Sequence, residues 1–141
     1  HVLVVGAGSG YTAAVCAQLA TTVVCHDVSQ AVLDRAAKNC AAAGVNNIGF
    51  QKVDSLAQPT GKVEFDAILI RERRTDTPQA YLDKLAAGGR CVVLLGADCV
   101  TELLCFRRDG REFQQESVVD ILAPENDMSG DRAQRHDEFI F

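Results

Sequence analysis

The feature that most constrains this chain is an apolar run, Val2-Leu3-Val4-Val5, that feeds without a break into Gly6-Ala7-Gly8-Ser9-Gly10. Glycine at three alternate positions lets the backbone turn sharply, enter left-handed conformations and come close to a ligand. Residues 11–20 are small and apolar and read as a helix. A buried strand, a glycine turn and a helix make the first half of a crossover between parallel strands. That opening excludes helical bundles and purely antiparallel sandwiches.

The chain continues to alternate. Residues 23–26 form a short second strand ending at Asp27, and Ser29 is placed to cap the next helix. Val32, Leu33, Ala36, Ala37, Cys40 and Ala41 recur at helical spacing, and Gly44 stands where a helix stops. Residues 48–53 read as a third strand followed by Asp54-Ser55, and residues 65–70 as a fourth, apolar enough for burial on both faces. Thr77-Pro78 predicts a third helix reaching Leu85 with proline at its first position, then a turn at Gly88-Gly89 and a fifth strand over 90–95. Asp109-Gly110, flanked by residues 101–107 and 113–122, signals a hairpin.

The expected fold class is therefore α/β: a doubly wound, mostly parallel, Rossmann-like sheet with a C-terminal antiparallel hairpin. Its ligand crevice is expected at the carboxyl end of the first strand. Residues 1–123 are expected to form one domain, and 124–141, polar and mixed in charge, a tail. Because the chain starts inside its first strand, we expect a fragment, or a domain lacking a preceding segment.

Composition narrows the partners. With 141 residues, 48% of them hydrophobic, the chain can bury one core. A net charge of −5 argues against nucleic acid and against an anionic membrane surface. Cys16, Cys25, Cys40, Cys91, Cys99 and Cys105 include no CxxC pair and sit among apolar residues. They read as reduced, packed thiols in a cytoplasmic protein, and no metal site is expected.

The ligand is read from spacing. A dinucleotide loop of the form GxGxxG needs a glycine where this chain has Tyr11, so GxGxG favours S-adenosylmethionine over NAD. Asp27 lies 21 residues beyond Gly6, where a carboxylate can accept hydrogen bonds from ribose hydroxyls. Asp54, at the next strand end, can meet an adenine amine. An NAD enzyme and a noncatalytic nucleoside-binding module stay open as alternatives.

On these residues the chain resembles the protein-L-isoaspartate O-methyltransferase family. The stretch from Val2 to Ala14 is similar to its first motif, including the aromatic after the last glycine. Residues 65–70 resemble its fourth strand, and Leu85-Ala86-Ala87-Gly88-Gly89-Arg90-Cys91-Val92 its helix–glycine–strand turn. Glu102-Leu103-Leu104, Asp109-Gly110, Phe113 and Val118-Val119 follow its terminal hairpin.

The resemblance implies an S-adenosylmethionine-dependent O-methyltransferase of protein repair, methylating a carboxylate such as an isoaspartyl side group in damaged proteins. It implies cofactor contacts from Gly6, Ala7, Gly8, Ser9, Gly10, Tyr11, Asp27, Val28, Asp54 and Ser55. No catalytic residue is assigned. The chain departs from the family in two places: Val4 replaces an acid, and Arg71-Glu72-Arg73-Arg74 replace small residues beside the substrate. Arg71, Arg73 and Arg74 are read either as a solvated loop or as a substrate-side patch that recognises carboxylates. The departures leave a weak or inactive module, binding nucleoside or a partner protein, as the alternative. A second copy is a candidate partner for apolar surface near Tyr11.

Overall fold

The computed structural model describes residues 1–97 and 100–122. Cys99 and the 124–141 segment lie outside the described residues. Seven strands and three helices follow one another as β1 (Val2–Val5), α1 (Tyr11–Ala17), β2 (Val23–Asp27), α2 (Gln30–Ala42), β3 (Ile48–Lys52), β4 (Phe65–Arg74), α3 (Gln79–Leu82), β5 (Leu85–Ala97), β6 (Val100–Asp109) and β7 (Glu112–Leu122). The strands form one sheet in the order β3-β2-β1-β4-β5-β6-β7. The first four pairings along that order are parallel, and β5 with β6 and β6 with β7 are antiparallel.

The two-residue period of β1 divides the core. Val4 faces α1 and α2 and packs with Ala13, Ala17, Val23, Cys25, Leu33 and Ala36. Leu3 and Val5 face the other way, toward Ile68, Ile70, Tyr81, Leu82, Leu85, Val93, Leu104 and Phe106. Small residues let α1 lie close to the sheet, and its unpaired C-terminal carbonyls are satisfied from outside. Asn47 Nδ2 donates to the carbonyls of Ala17 at 2.9 Å and Ala20 at 3.0 Å. Ser29 caps α2, its hydroxyl accepting from Val32 N at 3.4 Å, and Gly44 follows the helix at φ +74°.

Three sequence expectations are corrected. The helix expected over 77–85 is a single turn, Gln79–Leu82, with Pro78 at its N-cap and not at its first helical position. Lys84 is already on the sheet side, its carbonyl accepting from Phe65 N at 2.8 Å, so the helix has no room to continue. The fifth strand begins at Leu85, not residue 90, and absorbs the glycine pair as an irregularity in its pairing with β4. The fourth strand runs to Arg74, so the arginines are strand residues and not a loop. The expected hairpin is β6 with β7, and β6 joins the sheet through a further antiparallel pairing with β5.

Candidate functional site

The site is built where β1 stops between its neighbours. Val5 is in register with His26 of β2 and Ile70 of β4, and the backbone leaves the sheet at Gly6. Gly6, Gly8 and Gly10 all have left-handed φ values, +91°, +55° and +92°. The requirement is tightest at Gly10, where a Cβ would lie 2.9 Å from both the Ala36 carbonyl and Cys40 Sγ. Helix α1 therefore starts against α2 only because position 10 has no side chain. From α2, Asn39 Nδ2 donates to Ser9 O at 2.9 Å and steadies the loop.

Asp27 joins the loop to the end of β2. Its carboxylate is 9% exposed. One oxygen accepts from Ala7 N at 2.9 Å and the other from Ser29 N at 3.0 Å. Each carboxylate oxygen has a second lone pair, so both keep capacity for a hydroxyl donor from a ligand.

Beyond β2 and β3 opens a cleft of about 410 Å³ lined by Val28, Asp54, Ser55, Leu56, Ala57, Glu72 and Arg74. That volume lies within the range of small-molecule sites. Its floor is held at one carbonyl: Leu56 O accepts from Tyr81 Oη at 3.0 Å and from Arg74 Nη1 at 2.9 Å. Val28, Asp54 and Ser55, named from sequence, thus come together there, and Tyr11 begins α1 with 59% of its surface exposed.

The arginines separate. Arg74 enters the cleft, whereas Arg71 turns to the glycine loop, with Nη1 donating to Gly6 O at 3.0 Å. Arg73 is exposed and is not among the cleft's lining residues. Sequence reasoning missed Leu56, Ala57 and Asn39, and named Glu72 only within the charged stretch 71–74. No motif marks them, since their positions depend on strand lengths.

Burial shifts two titratable groups near the loop. His26 is 2% exposed, and burial lowers its pKa, so the ring is held neutral. Burial pushes the Cys25 thiol up to about 12, which makes it a poor nucleophile. Cys16, Cys25, Cys40, Cys91 and Cys105 are free thiols. Among the described residues no three His, Cys, Asp or Glu side chains cluster to hold a metal ion.

A glycine loop after the first strand, an acid ending the second and a cleft beyond the third, on a largely parallel sheet, define a Rossmann-like domain of the methyltransferase class. Within that class the chain belongs to the Protein-L-isoaspartate(D-aspartate) O-methyltransferase family, which matches residues 1–122. A protein-L-isoaspartate O-methyltransferase of Methanoregula boonei is 34% identical over 121 residues, covering 86% of this chain and 56% of that protein. One from Methanoculleus marisnigri is 36% identical over 112 residues, covering 79% and 51%. The chain thus spans about half the length of the curated relatives it matches. A solved protein-L-isoaspartate O-methyltransferase superposes with a TM-score of 0.73 at 22% identity, over 87% of this chain and 41% of that one. A putative Plasmodium falciparum enzyme of the same name, solved in complex with S-adenosyl-L-homocysteine, gives 0.67 at 16% identity, over 89% and 66%. These likenesses carry the fold.

Proposed function

We propose that this chain is the cofactor-binding part of an S-adenosylmethionine-dependent O-methyltransferase acting on a carboxylate, such as an isoaspartyl side group in a damaged protein. The observation that carries the reading is the glycine loop tied to Asp27 at the end of β2, with the cleft opening at the next residue, Val28. Val28, Asp54 and Ser55 would hold the nucleobase, Asp27 the ribose, and residues 6–11 the remainder. These residues fit the group: the cleft offers an acid and a hydroxyl beside apolar Val28 and Leu56, and Asp27 keeps free lone pairs. Bound S-adenosylmethionine supplies an electrophilic methyl group on a sulfonium.

What the chain must add is alignment. A carboxylate substrate is already an ionised nucleophile, so holding its oxygen in line with the methyl group does most of the work and no strong base is needed. Arg73, exposed on β4 and outside the cleft lining, is the remaining substrate-side candidate, where a guanidinium can pair with a carboxylate. No helix among the described residues is long and apolar enough to cross a membrane. The free thiols among the described residues are in keeping with a reducing, cytoplasmic setting.

One observation favours the second reading, a weak or inactive module: Val4, where the family has an acid, is fully buried in the core. Calorimetric titration decides whether the site exists. S-adenosylhomocysteine is expected to bind and NAD is not; binding of neither removes the nucleoside reading. A methylation assay on an isoaspartyl peptide then separates enzyme from module.

A further inference from the structure

We propose that Arg71 is a carboxylate-recognition residue of the cofactor site, its guanidinium taking the α-carboxylate at the amino-acid end of the bound nucleoside. The proposal rests on the nucleoside reading above and assigns to the ligand side a residue that the sequence pattern placed beside the substrate.

Backbone register fixes where Arg71 stands. Ile70 is the last β4 residue in register with β1, opposite Val5, so Arg71 comes next to Gly6 where the loop departs. Its Cβ lies 3.6 Å from where a Gly6 Cβ would be. The side chain then bends over the loop. A Cβ on Gly8 would collide with Arg71 Nη1, with Cζ and Nη2 each 3.1 Å away. The bond from Nη1 to Gly6 O anchors the guanidinium there. That bond uses one of the five N–H donors of the fork.

Charge supplies the rest. A nucleoside held as proposed would have its base in the cleft and its ribose at Asp27. Its amino-acid tail therefore reaches the loop last. The one anionic group on that tail is the carboxylate, and a guanidinium binds carboxylate with paired N–H bonds in a fixed plane. The loop's own apolar neighbours, Val4 and Ala7, are buried and offer no charge. A positive group in this position also disfavours ligands lacking the anion.

The experiment titrates the full chain and Arg71→Gln with two probes, S-adenosylhomocysteine and 5′-methylthioadenosine, which shares the nucleoside and thioether but has no amino acid. The expected result is a loss of roughly tenfold or more in S-adenosylhomocysteine affinity for the variant, as for a hydrogen bond to a charged group. Affinity for 5′-methylthioadenosine should stay within about twofold. Arg71→Lys, charged but unable to form the planar fork, should recover part of the loss. Equal loss for both probes would mean that Arg71 only shapes the loop, and tighter S-adenosylhomocysteine binding would make it an obstruction; either overturns the proposal. Absence of binding by the unmodified chain overturns the nucleoside reading itself, whereas unmodified binding with an unaffected variant overturns only the role of Arg71.

Discussion

Asp27 serves the loop and the proposed ligand with the same carboxylate. Replacing it with alanine leaves the Ala7 and Ser29 amides without their acceptor, and Ala7 is buried. Asp27→Ala is therefore expected to lower stability by about 1–3 kcal/mol in urea unfolding and S-adenosylhomocysteine affinity by about 1.5–3 kcal/mol. A folded variant with unchanged affinity would remove the ribose assignment. His26 gives a pH dependence. Burial lowers its pKa below the ordinary value, so the unfolded chain takes up the proton first as pH falls. Its stabilising contribution is complete above about 6.5, the ordinary histidine value, and is lost on acidification through the interval down to its folded value. Urea midpoints should fall more steeply between pH 7 and 5 for the native chain than for His26→Gln; parallel slopes would contradict this. The sequence made Asp27 and the glycines legible because their roles are local, set by strand ends and φ. Arg71 and Glu72 were obscured because four consecutive charged residues look like a loop, yet a strand end that runs on past β1 tolerates them.

At the level of elements, the short helix α3 matters more than its single turn suggests. Tyr81 is wholly buried, and its hydroxyl holds the Leu56 carbonyl at the cleft floor together with Arg74. Tyr81→Phe keeps the packing and removes one of two donors, so it should cost about 0.5–1.5 kcal/mol. Amide exchange at residues 54–57 should quicken more than in β1; uniform change across the sheet would show that Tyr81 does not act on the cleft in particular. The helix length was misjudged from sequence because Thr77-Pro78 marks a start correctly but says nothing of the stop. Here the stop is set by β5 joining β4 at Leu85. Helix α2 was legible at both ends, since Ser29 and Gly44 mark them with side-chain and backbone chemistry that needs no tertiary partner.

Across the whole molecule, the parallel half was readable from alternating apolar strands and helices, and the site's location followed from it. The order of the last three strands was only half readable, because Asp109-Gly110 marks one reversal and the stretch after Leu95 carries no comparable turn signal. That difference between halves has a kinetic consequence. The β5–β6–β7 meander pairs neighbours in sequence, so its closures are short, whereas β1 must find β4 across some sixty residues. The meander should therefore be largely assembled in the folding transition state, with the glycine loop's surroundings joining afterwards. Leu104→Ala should slow folding nearly in proportion to its destabilisation, and Val4→Ala should mainly speed unfolding. The reverse pattern would place nucleation at the loop. On this order of events a nascent chain acquires a sheet before it acquires anything to bind, and ligand added during refolding should leave the folding rate unchanged while slowing the reverse reaction.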